Sequence, residues 1–147
     1  MEPRFKLRSV LPNAYGPLIE LDKMLAHSGL TPIQREMIKI RASQINGCAY
    51  CINSHTKDAL KYGETTQRIF VMSAWREAPN LFNETEQVIL ELTEQVTLIA
   101  NHGVTNELFD KAVKIFGEET TANIILSIVS INSWNRLGVA FNLHPEL

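Results

Sequence analysis

Apolar residues recur along this chain at spacings of three and four, the period that places side chains on one face of an α-helix. Leu18, Leu21 and Leu25 are an early example. No stretch shows a convincing alternation of apolar and polar residues, which is typical of a half-buried strand. The pattern predicts an all-α fold, a compact bundle of about six helices.

Capping and turn residues set the predicted helix boundaries. Thr31 with Gln34, and Asn83 with Glu86, have the spacing of a capping box at a helix start. Glycine after an apolar stretch, as at Gly29, favours a left-handed helix end. The predicted helices span residues 14–26, 32–46, 48–63, 66–77, 83–101 and 120–137, with a short one over 106–116.

The last predicted helix is apolar around most of its circumference. Such a helix is usually buried on all sides, either at the centre of the core or in a subunit interface. We therefore predict a homo-oligomer. The apolar positions are Ile124, Ile125, Leu126, Ile128, Val129, Ile131 and Trp134.

Length and charge narrow the class of protein. The 147 residues predict a single domain over 1–147. A net charge of −2 with interspersed signs argues against nucleic acid as the main partner.

No apolar run reaches about 18 residues, which predicts no membrane partner. Met1 to Phe5 lack the apolar core of a signal peptide. We expect a cytoplasmic protein, where a close cysteine pair indicates catalysis, redox chemistry or metal binding.

The only two cysteines, Cys48 and Cys51, stand three apart, and His55 follows one helical turn later. Residues three apart on a helix have Cα atoms about 5 Å apart, which disulfide geometry accepts. If the turn at Asn46 and Gly47 folds two helices together, Glu36 reaches the same place. Two thiols, an imidazole and a carboxylate suffice for thiol redox chemistry.

Local arguments leave the reactive thiol undecided. The predicted helix starts near Cys48, whose thiolate the helix dipole would favour. His55, four residues after Cys51, can instead accept the Cys51 proton. Spacing alone does not choose between them.

Three other uses of the cysteine pair are less favoured. The four side chains could in principle hold zinc, but structural zinc sites usually draw ligands from two separated clusters, and this chain has one. Covalent haem attachment needs histidine directly after the second cysteine, where Ile52 stands. A thioredoxin-type site needs a βαβ context. We expect no metal and no cofactor.

These residues also carry a resemblance. Glu36, the stretch from Arg41 to Cys51, and His55 resemble the signature of the alkylhydroperoxidase D-like (AhpD-like) branch of the carboxymuconolactone decarboxylase family. The stretches 75–79 and 131–136 are similar to the family as well. The resemblance implies an all-helical protein that assembles as a trimer or hexamer.

The resemblance further implies a thiol-dependent peroxidase. By its pattern Cys51 attacks a hydroperoxide, Cys48 resolves the product to a disulfide, and Glu36 with His55 relays protons. A dithiol protein, thioredoxin-like or lipoyl-bearing, then reduces the disulfide. The sequence departs from the family at Tyr50, where the best-known peroxidases of the family have a second histidine. The difference matters because a phenol is a poor base near neutral pH.

Two other functions stay open at this point. A helical redox-sensing or disulfide-exchange module would use the same cysteines without a fast reaction with peroxide. A cofactorless decarboxylase or other lyase, with His55 as base, would keep its activity without either cysteine.

Overall fold

The computed structural model describes residues 4–145 and is all-α, with no strand in that range. Met1 to Pro3, part of the stretch judged too polar for a signal peptide, lie outside the described residues. Within residues 4–145 no helix is long and apolar enough to cross a membrane. The helices are α1 (Leu7–Val10), α2 (Gly16–Leu25), α3 (Pro32–Asn46), α4 (Ala49–Lys61), α5 (Thr66–Val71), α6 (Glu84–Thr97), α7 (Ile99–His102) and α8 (Asn106–Ala140).

Both capping boxes are present. Thr31 Oγ1 accepts from the Gln34 backbone N–H, and the Gln34 side chain accepts from the Thr31 backbone N–H. Asn83 and Glu86 exchange the same pair of bonds at the start of α6. Each box pairs two of the donors that a helix start leaves unsatisfied, so the sequence signal fixes the boundary.

The predicted boundaries need three corrections. The helix over 66–77 ends as an α-helix at Val71 and continues as a 3₁₀ helix, Met72–Glu77, with non-helical backbone at Ala74. The helix over 83–101 is two elements, α6 and the short α7, since Leu98 leaves helical geometry. Nothing in the sequence pattern predicted α1, a single turn without a side-chain cap.

Gly117 divides α8 as predicted. Its φ of 79° and ψ of 168° interrupt the helix between the predicted short segment and the long last one. The positive φ is open to glycine and strained for other residues. The chain therefore changes direction here without a separate loop.

The core consists of two clusters that meet at α3. One lies between α3, α6 and α8, and includes Ile38, Val88, Ile124 and Ile128. The other joins α3, α4 and α6 to the 3₁₀ helix around Met37, Met72, Trp75, Phe82 and Leu90. Because α3 contributes to both clusters, its position relative to the neighbouring helices is fixed by packing on two sides.

The last helix is not buried on all sides. Ile124, Ile128 and Ile131 are buried, whereas Leu126 is 38% exposed and Val129 46% exposed. Complete burial was therefore wrong for this chain by itself, because α8 packs on α2, α3, α4 and α6 along only part of its surface. The exposed apolar residues leave the homo-oligomer as a prediction.

Candidate functional site

A glycine turn brings the predicted site residues together. Gly47 ends α3 in the left-handed conformation, with φ 67°, and the N–H groups of Gly47 and Cys48 both donate to the Ser43 carbonyl. This tight helix end lets α4 fold back against α3. Glu36 on α3 thereby comes beside His55 on α4, as the sequence predicts.

Cys48 is the N-cap residue of α4. Its Sγ accepts a hydrogen bond from the Cys51 backbone N–H, with 3.3 Å between the two atoms. Cys48 and Cys51 are joined as a disulfide, and their Cα atoms are 5.3 Å apart. Both sulfur atoms therefore lie in the first turn of α4, at its electropositive end.

Glu36 connects His55 to Lys39. Its Oε2 lies 2.8 Å from His55 Nδ1, and its Oε1 accepts from Lys39 Nζ at 2.7 Å. Glu36 is buried, while His55 and Lys39 are half-buried. Burial by itself raises the pKa of the Glu36 carboxyl, but the hydrogen bonds and positive charge of His55 and Lys39 outweigh it and hold that pKa below its usual value.

The ionised carboxylate fixes the histidine tautomer. Because an ionised Glu36 can only accept, Nδ1 of His55 carries the hydrogen in the bond between them. Nε2 is then the ring nitrogen that can take up or release a proton. The pair has the arrangement of a base held in orientation by a carboxylate.

The lowered pKa of Glu36 predicts an acid-sensitive contribution to stability. The carboxyl titrates at 4.5 when exposed and lower in the fold, so the unfolded chain binds the proton first as pH falls. The contribution is complete above pH 4.5 and is lost as pH falls through the lower folded value. Urea unfolding at pH 6 and at pH 3 measures the free energy of unfolding at both values. We expect that free energy to fall less between pH 6 and pH 3 in Glu36→Gln than in the parent. Equal decreases in the two proteins would contradict this prediction.

A cavity of about 890 Å³ opens at the site. Cys51, Glu36 and His55 all line it, and so does Tyr50, which is 43% exposed. Both cysteines are buried, Cys48 2% exposed and Cys51 5% exposed, and of the two only Cys51 is among the lining residues. A small molecule in the cavity therefore lies against Cys51 rather than Cys48. The four predicted site residues and Tyr50 are thus brought to one place.

Buried asparagines, which sequence reasoning missed, hold the turn before Cys48. Asn46 Nδ2 donates to Oδ1 of both Asn132 and Asn135 at 2.9 Å. Asn135 Nδ2 in turn donates to Ser43 Oγ, also at 2.9 Å. The signal was present, because two amides inside the apolar α8 need buried partners. This network ties α8 to the end of α3.

Gly138 of α8 lies directly against the dithiol. A Cβ built on it would stand 2.8 Å from Cys48 Sγ and 3.5 Å from Cys51 Sγ. The first distance is too short for a carbon and a sulfur atom. The sequence carried no sign of this contact, since Gly138 lies 87 residues after Cys51.

We expect Gly138→Ala to destabilise the oxidised protein by about 1–3 kcal/mol, through overpacking against Cys48. The control is Gly16→Ala, since a methyl group on Gly16 would meet no other part of the fold within 4 Å, and alanine there should be neutral or stabilise by up to about 1 kcal/mol. Denaturant unfolding of both variants measures the difference. Equal free energies of unfolding would show that α8 can move away from the sulfur atoms without cost.

A candidate cation site shares two residues, Glu36 and His55, with the four predicted catalytic residues. Ligand atoms of Glu36, His55 and Asp58 lie within 4.8 Å of one another in the described residues. Asp58 is already paired with Lys61 at 2.8 Å. This group contains neither sulfur atom, so it differs from the zinc site of two thiolates, imidazole and carboxylate that the sequence left open.

Comparison with known proteins settles the family. The model of the carboxymuconolactone decarboxylase family matches residues 12–95, more than half of the chain. The chain belongs to this family. It is 39% identical over 140 residues to the uncharacterised Bacillus subtilis protein YdfG, with 95% of each chain covered. The resemblance inferred from the dithiol stretch is therefore confirmed.

Two solved structures share the fold of this chain. A protein of unknown function from Agrobacterium tumefaciens, provisionally described as the antioxidant defence protein AhpD, matches with a TM-score of 0.94 and 34% identity over 99% of both chains. The debrominase Bmp8 matches with a TM-score of 0.81 over 94% of this chain and 73% of its own, but at 18% identity, which shows the fold alone. The fold is AhpD-like, and a CxxC pair on it fits an antioxidant function.

Proposed function

We propose that this protein is a thiol-dependent peroxidase of the alkyl hydroperoxide reductase type. One observation carries the proposal: Cys51 lines a cavity with the Glu36–His55 pair, while Cys48, within disulfide reach, does not line it. A peroxidase needs a thiolate that substrate can reach, a proton donor near it and a second thiol that does not compete for substrate. Cys51 and His55, which line the cavity, and Cys48, which does not, suit these three roles.

In the first step the Cys51 thiolate attacks the terminal oxygen of a hydroperoxide. A sulfur–oxygen bond forms and the oxygen–oxygen bond breaks, so Cys51 becomes a sulfenic acid and the peroxide is reduced to an alcohol. The departing alkoxide takes a proton from His55, which had received it from the thiol. Glu36 stabilises the imidazolium between these two transfers.

In the second step the Cys48 thiol condenses with the sulfenic acid. The disulfide between Cys48 and Cys51 forms and water leaves, which gives the state seen in the structure. A partner dithiol protein, thioredoxin-like or lipoyl-bearing, then exchanges with the disulfide and is itself oxidised. The reducing equivalents of each cycle thus come from the partner.

A steady-state assay tests the proposed cycle. We expect the protein, dihydrolipoamide and tert-butyl hydroperoxide together to consume peroxide at a rate proportional to protein concentration. A second reaction with reduced thioredoxin in place of dihydrolipoamide compares the two classes of reductant. Peroxide loss no faster than with the dithiol alone, for both reductants, would contradict the peroxidase.

A cofactorless lyase is the second candidate. It is favoured because Glu36 orients His55 through a bond in which neither cysteine takes part, so the pair could act as a base independently of the thiols. Its base would be Nε2 of His55, acting on a small acid in the same cavity. The double variant Cys48→Ser/Cys51→Ser separates the two candidates. A lyase keeps its activity in that variant, whereas a peroxidase loses it.

A further inference from the structure

The cavity beside Cys51 is positively charged in a protein that is not. Four basic and two acidic side chains line it, a formal charge of +2 with His55 neutral, against −2 for the whole chain. A cavity with walls of one sign concentrates ligands of the opposite sign. The basic residues are Lys6, Arg8, Arg35 and Lys39, and the acidic ones are Asp22 and Glu36.

Both carboxylates of the cavity already have partners. Glu36 accepts from His55 and Lys39. Asp22 accepts from Ser130 Oγ at 2.5 Å and from Trp134 Nε1 at 2.8 Å. Glu36 forms its ion pair with Lys39. The two partners of Asp22 are neutral, so Asp22 keeps its charge, but no basic side chain of residues 4–145 lies within ion-pair distance of it.

Three basic side chains of the cavity have no carboxylate within ion-pair distance among residues 4–145. Lys6 and Arg8 are exposed, and Arg8 lies over the Tyr15 ring. Arg35 is half-buried, and its Nη1 donates to the Leu30 carbonyl at 2.8 Å. That bond holds the guanidinium in place but leaves its charge unpaired. A guanidinium held in this way can bind a carboxylate with two parallel hydrogen bonds.

Apart from Ser54 and Ser127, most of the remaining wall is apolar or aromatic. Leu25, Ile131, Leu137 and Phe141 line it together with Trp134, whose ring is stacked on Tyr15. A volume of about 890 Å³ is within the range of about 300–1,000 Å³ typical of sites for organic ligands. The walls thus suit an organic body, and the unpaired Arg35 suits an anionic group on it.

We infer that the cavity binds an organic hydroperoxide that carries a carboxylate, with Arg35 as the anchor for that carboxylate. The inference rests on the proposed peroxidase for the reacting group and on the cavity for the rest. Arg35 lines the same cavity as Cys51 and the Glu36–His55 pair, so a substrate held at Arg35 occupies the space that these groups share. The exposed Lys6 and Arg8 add positive charge that attracts such substrates.

Binding without chemistry tests the anchor separately. The probes are para-isopropylbenzoate and para-isopropylbenzamide, which share a body and lack an oxygen–oxygen bond, titrated into the disulfide form by calorimetry. We expect the benzoate to bind at least about 10-fold tighter, the worth of one charge-assisted hydrogen bond. Arg35→Gln should remove this preference. The matched control Lys57→Gln removes an exposed positive charge of α4 outside the cavity and should keep it.

Reaction rates test the same anchor during turnover. Cumene hydroperoxide and its para-carboxylate derivative are compared as substrates of the parent, Arg35→Gln and Lys57→Gln. We expect the ratio of kcat/KM for the acid to kcat/KM for the neutral peroxide to fall about 10-fold in Arg35→Gln. Lys57→Gln should resemble the parent with both substrates.

The two tests separate this inference from the peroxidase itself. Equal binding of benzoate and benzamide, or a preference that survives Arg35→Gln, would overturn the anchor even if both peroxides are reduced. A benzoate preference that depends on Arg35, in a protein that reduces neither peroxide, would overturn the peroxidase and support the anchor.

Discussion

Cys51→Ser should reduce kcat/KM for hydroperoxide by at least about 1,000-fold, because serine in its place cannot form a thiolate nucleophile. Cys51 is the cysteine that lines the cavity with Glu36 and His55. Dithiol-dependent consumption of tert-butyl hydroperoxide measures the effect. A serine differs by one atom, so the loss reflects chemistry and not packing.

The matched control for this variant is Cys48→Ser. It keeps the attacking thiol and loses the resolving one, so one equivalent of peroxide should still react and leave a sulfenic acid on Cys51. Trapping with dimedone and mass spectrometry detects that product. If instead Cys48→Ser failed to react and Cys51→Ser reacted in a single turnover, the roles of the two cysteines would be reversed.

Glu36→Gln should have the second-largest effect, a loss of about 100-fold in the rate of peroxide reduction. The amide keeps the size of the side chain and removes the charge that stabilises the His55 imidazolium. In the parent, Lys39 Nζ and His55 Nδ1 lie 2.7 and 2.8 Å from the carboxylate oxygens of Glu36. The amide of the variant offers both of these donors a neutral partner instead. The pH profile of kcat/KM should shift together with the rate.

The surface offers a matched control for Glu36→Gln. Glu20 pairs with Lys23 at 2.7 Å, and Glu36 pairs with Lys39 at the same distance and the same sequence spacing. Unlike Glu36, Glu20 is exposed and forms no ion pair with a histidine in the described residues. Glu20→Gln should leave the rate unchanged. A similar loss in both variants would mean that the effect comes from net charge and not from the relay.

The sequence was sufficient for features that depend on local chemistry. The capping box at Thr31 and the left-handed Gly47 fix the two ends of α3, and Cys48 is then the N-cap of α4. From these boundaries the approach of Glu36 to His55 follows, because two helices joined by a tight turn must pack together. The structure shows this pair as expected, with 2.8 Å between the nearest atoms.

The partners that distant parts of the chain supply could not be predicted. The amides of Asn132 and Asn135 indicate a need for buried partners but not that Asn46 is one of them. That pairing, and the packing of Gly138 on the sulfur atoms, exist only because α8 lies across α3 and α4. Periodicity gives the apolar face of a helix but not its crossing position on another. The cavity wall is a further example, since Arg35 acquires a role only through residues outside its own helix.

The 3₁₀ helix Met72–Glu77 shows a different limit of sequence reasoning. Residues 66–77 read as one helix by period, but tertiary bonds redirect its end: Trp75 Nε1 donates to Glu94 at 2.8 Å, and Arg76 also pairs with Glu94. These contacts to Glu94 override local helix propensity. They also affect its ionisation: burial raises the pKa of the Glu94 carboxyl, but its bonds to Arg76, Trp75 and Arg41 outweigh burial and keep that pKa below the usual value.

The most direct test of the central claim is stopped-flow oxidation of the pre-reduced protein by tert-butyl hydroperoxide, followed by mass spectrometry. The account predicts oxidation faster than that of free cysteine, with loss of two hydrogens and a disulfide that maps to Cys48 and Cys51. Oxidation no faster than free cysteine would contradict the peroxidase and favour a redox module or other chemistry in the same cavity.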